Sequence, residues 1–122
     1  MSMSNKLLKI EDLELSFKMY EGISTVLKKI NLELSKGEKV ALVGESGSGK
    51  SVTTKLILGL LNQKNVSKKG KILFNNRNIL NLSQNEFKKI RGNNIAIIFQ
   101  DPIAALNPVF KIIDQFLINL IY

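Results

Sequence analysis

The stretch Gly44-Glu45-Ser46-Gly47-Ser48-Gly49-Lys50-Ser51 constrains this chain more than any other, because it dictates what stands on either side of it. It matches Gly-x-x-x-x-Gly-Lys-Ser at every fixed position. Before it lies the apolar run Val40-Ala41-Leu42-Val43, which reads as a short strand buried on both faces, as in a parallel sheet covered by helices. After it, Lys50 to Leu61 places Val52, Leu56 and Leu60 on one helical face, with Ile57 and Leu61 at its margin. Strand, glycine-rich turn and helix in that order form a phosphate cradle. Glycines at 44, 47 and 49 allow backbone angles and close approaches that a Cβ forbids. The loop amides can then turn inward around phosphate oxygens, with the positive end of the following helix facing the same anion. Lys50 supplies a point charge for the β- and γ-phosphates, and the Ser51 hydroxyl is a hard oxygen suited to magnesium. Four such fixed positions coincide by chance in about one chain of this length in several hundred. The loop therefore reads as a nucleotide site, most naturally for ATP with Mg2+, rather than as a solvent loop.

Elsewhere the pattern predicts short strands and two more helices. Leu13, Leu15 and Phe17 alternate with Glu14 and Ser16, and Ile30, Leu32 and Leu34 alternate with Asn31 and Glu33, giving two half-buried strands around a polar interruption at Glu21–Gly22. Ser35-Lys36-Gly37-Glu38 reads as a turn. Asn62 to Lys69 is polar and ends at Gly70, and Lys71 to Phe74 is a strand closed by a turn at Asn75–Asn76. Ser83-Gln84-Asn85-Glu86 has the Ser-x-x-Glu form of a capping box, so a helix should run from Gln84 to Arg91 and stop at Gly92. Ile95 to Phe99 is a second strand of the doubly buried kind. Asp101–Pro102 and Asn107–Pro108 break the chain, and Phe110 to Tyr122 reads as a helix.

Composition narrows the chemistry. At 122 residues and 44% hydrophobic, the chain suits one small domain. It has neither cysteine nor histidine, which removes disulfides, thiolate metal sites, the commonest zinc ligand and the commonest general base. The net charge of +8 comes from lysines scattered singly or in pairs without interleaved aromatics, which describes a solvated surface and implies no nucleic acid partner. Charged residues punctuate Met1 to Leu15, so no secretory signal is read there, and no stretch has the roughly 20 apolar residues of a membrane span. The expected compartment is the cytoplasm.

The loop and three further stretches resemble the ATP-binding subunits of ABC transporters, and within them the oligopeptide/dipeptide importers. Val43 to Ser51 has their wording. Ile30 to Leu34 before Gly37–Glu38 is similar to their approach to the phosphate loop, and Gly70 to Asn75 to the strand and turn after the first helix. Ile98-Phe99-Gln100-Asp101-Pro102, followed by Leu106-Asn107-Pro108, resembles their glutamine loop; nickel importers share nearly the same wording. The resemblance implies an α/β fold of the P-loop NTPase type with an antiparallel β subdomain. It implies one partial nucleotide-binding domain over 1–122: a mainly antiparallel region over 6–37, the P-loop strand–helix unit through the glutamine loop over 38–109, and the start of a helical subdomain over 110–122. It further implies that Gln100 contacts magnesium and the attacking water, with Lys50 beside it in catalysis, and that Ser51 and Gln100 hold the metal. An aromatic stacked on adenine is also implied; Phe17 occupies the matching strand end, Tyr20 is its competitor, and Phe17 also continues the core face of Leu13 and Leu15. The implied partners are membrane-spanning permease subunits, a second ATP-binding subunit and, indirectly, a substrate-binding protein, at the cytoplasmic face of the membrane.

Several parts of that family pattern are absent from these residues. Nothing after Gln100 resembles the Leu-Ser-Gly-Gly-Gln signature, no apolar strand ends in Asp-Glu, and there is no switch histidine. Asp101 follows the Ile95–Phe99 run, but the intervening Gln100 and the nearby prolines favour the glutamine-loop reading. The expectation is a truncated portion that binds nucleotide without normal turnover alone. Phe110, Ile113, Phe116, Leu117, Leu120 and Ile121 form an apolar stripe that needs a partner or a fold-back onto the sheet. The rival readings are a binding-only or non-functional fragment, and a small kinase, which needs acceptor-site arginines where only Arg77 and Arg91 exist.

Overall fold

The computed structural model describes residues 6–61, 64–101 and 103–121, with side chains as far as 117 in the last helix. Four strands form one antiparallel sheet in the order β2-β1-β3-β4: β1 Lys6–Met19, β2 Gly22–Ser35, β3 Val66–Phe74 and β4 Arg77–Asn78. The helices are α1 Lys50–Ile57, α2 Gln84–Ile90 and α3 Ile112–Ile121. Pro102 and Tyr122, read above as a chain break and a helix end, lie outside the described residues, as do the side chains of Leu120 and Ile121.

The strands are longer than their alternation suggests because the apolar pattern changes phase within them. In β1, Leu8 and Ile10 point to the core, and so do Leu13 and Leu15; even and odd positions can share one face only if a residue is inserted between them. The register shifts between Ile10 and Leu13 against β2 and between Glu11 and Glu14 against β3, with Asp12 at φ 44°. β2 changes phase likewise between Leu27 and Ile30, with Lys29 at φ 48°. Asn31 ties the two irregular sites together: its Oδ1 accepts from the Asp12 amide at 2.9 Å and its Nδ2 donates to Lys29 O at 3.1 Å. Gly70, expected to precede the third strand, instead lies inside β3 opposite the β1 bulge.

The core lies on one face of the sheet. Leu8, Ile10, Leu13 and Leu15 of β1, Leu27 of β2 and Ile72 of β3 meet Leu56 and Leu61, Ile79 and Leu80, and Phe87 of α2. The helix over 50–61 stops early, because Gly59 at φ 62° closes it: its amide donates to Leu56 O and the Leu60 amide to Lys55 O, a Schellman arrangement. Leu60 is consequently turned outward, while Leu61 stays in the core. The Asn75–Asn76 turn forms as read, with both residues at positive φ, and leads into the short β4.

The capping box also forms, with α2 ending one residue before the expected Arg91. The Glu86 amide donates to Ser83 Oγ at 3.3 Å, and the Ser83 amide donates to Glu86 Oε2 at 2.9 Å. The bonds from the Ser83 amide and hydroxyl, helped by Arg77 at 2.9 Å, hold the Glu86 carboxyl below the usual carboxylate range. A folded pKa below the unfolded one stabilises the fold above the unfolded pKa, and that contribution is lost as pH falls through the folded value. Glu86→Gln should therefore flatten the acid limb of melting temperature against pH between about pH 6 and about pH 3; thermal melts of both proteins over that range check it.

Two expected strands do not form. Val40–Val43 and Ile95–Phe99 lie outside the sheet and belong to no strand, and Val43 and Ile98 are each 93% exposed. A doubly buried strand needs backbone partners at its edges and cover on both faces. Among the described residues no strand lies beside either run, and Ile95 makes only an isolated bridge to Arg91.

Candidate functional site

The loop at 44–51 leaves the exposed run at 40–43 and enters α1. Gly47 at φ 81° and Gly49 at φ 92° supply the two left-handed positions that turn it, and the Ser48 amide closes the turn on Glu45 O at 3.2 Å. A Cβ on Gly44 would stand 2.6 Å from Ser48 Oγ, and one on Gly49 would stand 2.5 Å from Leu27 Cδ2. Gly49 thus lets the loop lie directly on the core residue of β2. It is also the N-cap of α1, and Thr53 donates amide and hydroxyl to its carbonyl at 2.9 and 2.8 Å.

Lys50 folds back across this loop. Its Nζ donates to Gly44 O and Glu45 O, each at 2.6 Å, and to Ser48 Oγ at 3.1 Å. The ammonium group is therefore held in the turn by backbone carbonyls, and among the described residues no carboxylate pairs with it. The opening amides of α1 have no acceptor within a helix and carry its positive end.

Beside the loop is a cavity of about 580 Å³. It is lined by Ser46, Gly47, Gly49, Lys50 and Ser51 together with Val26, Val52 and Gln100, the last of which follows the 95–99 run. Gln100 and the loop, 49 positions apart from Ser51 in sequence order, are thus brought to one cavity. Gly44, Glu45 and Ser48 do not line it but position Lys50 from behind. Val26 was not legible as a site residue: it falls between Thr25 and Leu27, where the register of β2 against β1 shifts and alternation does not reveal which way a side chain faces. Val52 was legible only as part of the α1 apolar face.

The two aromatic candidates part company. Phe17 is half-buried on the core face of β1 and packs against the same cluster as Val26. Tyr20 sits in the β1–β2 turn, wholly exposed, beside a separate depression with Lys18, Met19 and Asn65. Neither lines the cavity at the loop. Asp101 is engaged in its own turn, accepting from the Ile103 and Ala104 amides at 3.1 and 3.2 Å. Gln115 of α3, which carried no signal in the sequence, clamps the loop that precedes its helix: its Oε1 accepts from the Asn107 amide and its Nε2 donates to the carbonyls of Asn107 and Phe110. Ile112, Ile113, Phe116 and Leu117 of α3 are exposed. Among the described residues no helix is long and apolar enough to cross a membrane.

A glycine-rich loop, a helix start, one lysine, one hydroxyl and one amide beside one cavity form a set that fits a polyphosphate, and comparison with known proteins points the same way. The family model for the ABC transporter matches residues 27–115. The dipeptide transport ATP-binding protein DppD of Lactococcus lactis subsp. cremoris is 46% identical over 111 residues, which is 90% of this chain and 32% of that protein. The oligopeptide transport ATP-binding protein OppD of Bacillus subtilis is 44% identical over 111 residues, 90% of this chain and 31% of that one. The chain thus spans about a third of the length of the curated relatives it matches. Among solved structures, the dimeric bacterial ABC transporter cassette MJ0796 superimposes with a TM-score of 0.78 at 31% identity, over 93% of this chain and 47% of that one. A second structure of that cassette, in a post-hydrolysis state bound to ADP and Pi, gives the same values. With the phosphate loop formed on an antiparallel sheet and the family model covering most of its length, this chain belongs to the ABC transporter family, within the P-loop ATP-binding domain of that family.

Proposed function

We propose that this chain binds Mg-ATP in the cavity at 44–51 and belongs to the energy-coupling ATP-binding subunit of a di- or oligopeptide importer. The observation that carries this reading is the convergence on one cavity of the loop, the Lys50 ammonium, the Ser51 hydroxyl and Gln100. Lys50 exchanges its carbonyl acceptors for β- and γ-phosphate oxygens, while the amides of Ser46, Gly47 and Gly49 and the α1 start take the remaining charge. Magnesium fits these residues: it is served by few protein oxygens with phosphates and waters completing its shell, and Ser51 and Gln100 supply a hydroxyl and an amide oxygen. No cluster of acidic side chains suited to a metal occurs among the described residues, consistent with a cation that arrives with the nucleotide. The metal supplies charge neutralisation at the phosphates; Gln100 orients a water and adds no charge of its own. The peptide class follows from the relatives named above. The permease subunits, a second ATP-binding subunit, a substrate-binding protein and a peripheral place at the cytoplasmic face of the membrane follow from the same reading.

The adenine stacks on Phe17, which lies on the same sheet face as Val26 at the cavity wall; Tyr20 stands apart. Phe17→Ala should weaken ATP binding by about 5- to 150-fold, the range for loss of a base-stacking aromatic, and Tyr20→Ala by less than about twofold. Titrations of both variants with a fluorescent ATP analogue decide between them, and the reverse order would assign Tyr20. Thermal melts test the reading as a whole: Mg-ATP at a hundredfold excess over its dissociation constant should stabilise the chain by about 2.7 kcal/mol, and Mg-AMP should not.

A further inference from the structure

Arg91 does not line the cavity at the loop, yet three parts of the fold meet on it. Its Nη2 donates to Gln84 Oε1 at 2.6 Å, its guanidinium lies 5.7 Å over the Phe87 ring, and its backbone bridges to Ile95. Gln84 in turn donates from Nε2 to Gly59 O at 3.0 Å, and the Phe87 ring packs on Gly59, the residue that closes the C-terminal end of α1. A hydrogen-bonded path therefore runs from α1, whose other end is the glycine loop, through Gln84 and Arg91 to the start of the 95–99 run. Gly92 at φ 83° turns the chain there, and its amide donates to Ile95 O at 2.9 Å. From Ala96 to Gln100 no backbone hydrogen bond forms among the described residues, so the course on which the chain leaves this anchor decides where Gln100 arrives. Stability does not account for Arg91. Its Nε is buried without a partner among the described residues, an arrangement that costs stability.

We propose that Arg91 is a positioning residue for Gln100: held by Gln84 against the end of α1, it sets the course of the run that brings the Gln100 amide to the cavity. A guanidinium suits this task because its planar fork meets an acceptor and a ring face at once, which neither a lysine nor an apolar side chain does as well. Lys50 and Ser51 stand in the first turn of α1, so the phosphate loop and Gln100 are both referred to one helix. A shift at Arg91 moves Gln100 relative to Ser51 without disturbing the loop itself. The inference rests on the nucleotide reading above, in which Ser51 and Gln100 serve the magnesium.

The test compares ATP affinity in magnesium and in EDTA by titration calorimetry of the full chain and its variants. Gln100→Ala should lose about tenfold or more of the gain in affinity that magnesium gives. Arg91→Met and Gln84→Ala should each lose about threefold or more of that gain, with the affinity in EDTA kept within about twofold. The double variant, Arg91→Met with Gln100→Ala, should lose no more than Gln100→Ala alone, within about twofold, because Arg91 acts only through Gln100. Gln84 is exposed, so Gln84→Ala reads the same path even where a thermal melt shows Arg91→Met to be unfolded. A purely structural Arg91 would instead weaken ATP equally in magnesium and in EDTA. The inference is overturned, and the proposed function left standing, if Gln100→Ala loses its share while Arg91→Met and Gln84→Ala keep the full magnesium gain, or if the double variant loses the product of both factors. A magnesium gain that survives Gln100→Ala would sink the inference together with the metal role of Gln100. An original chain that binds ATP equally with and without magnesium would sink it together with the Mg-ATP reading.

Discussion

Lys50→Ala weakens Mg-ATP binding by about 10- to 100-fold, the loss expected when charge-assisted bonds contributing about 1.5–3 kcal/mol are removed. The direction follows from what surrounds the ammonium group. Its three acceptors are Gly44 O, Glu45 O and Ser48 Oγ, all neutral, so none of them competes as an anion with a phosphate. The free chain loses little, because those bonds are exposed. Lys50→Arg restores the charge without restoring affinity, since a planar guanidinium cannot occupy a turn that holds a compact ammonium 2.6 Å from two carbonyls. Titration with a fluorescent ATP analogue, beside thermal melts of the ligand-free variants, separates the binding loss from any loss of fold. A Lys50→Ala protein that binds as tightly as the original would remove Lys50 from the site.

Gly70→Ala lowers folding stability by about 3 kcal/mol or more, combining a left-handed residue that tolerates no side chain with a clash that cannot relax. Gly70 has φ 95°, and a Cβ there falls against the backbone oxygens of Glu11 and Asp12 and the Asp12 carbonyl carbon. These atoms belong to the β1 bulge, whose position is set by the phase change between Ile10 and Leu13, so neither strand can yield without turning core residues outward. Gly37→Ala is the control: φ is 76° but nothing lies within 4 Å of its Cβ, so the cost should be about 1 kcal/mol. Urea denaturation of the two variants measures the difference, and equal costs would show that the bulge is soft.

What was legible in the sequence, and what was not, divides along the range of the interactions. The capping box at Ser83–Glu86 and the Asn75–Asn76 turn are each specified by neighbouring residues, and both form as read; the glycine turn at 44–49 leads into α1 as expected, but without the strand read before it. Local patterning failed where an element depends on distant partners. The runs at 40–43 and 95–99 have the composition of buried strands, yet pairing and cover must come from elsewhere, and among the described residues none is supplied. The full lengths of β1 and β2 were hidden by their bulges, because a strict period of two ends wherever a residue is inserted. The helix read over Lys50 to Leu61 ran through Gly59; the left-handed angle of Gly59 and the close packing of Phe87 against it end α1 at Ile57, four residues earlier. At the site, the loop residues were readable from their spacing and Gln100 from the family resemblance alone. Val26 came from neither.

Titration calorimetry of the purified chain with ATP, in the presence and absence of magnesium, tests the central claim most directly. The account predicts one site with magnesium-dependent heat that collapses in Lys50→Ala. A folded chain that gives no heat with Mg-ATP, or the same heat with and without Lys50, would contradict it.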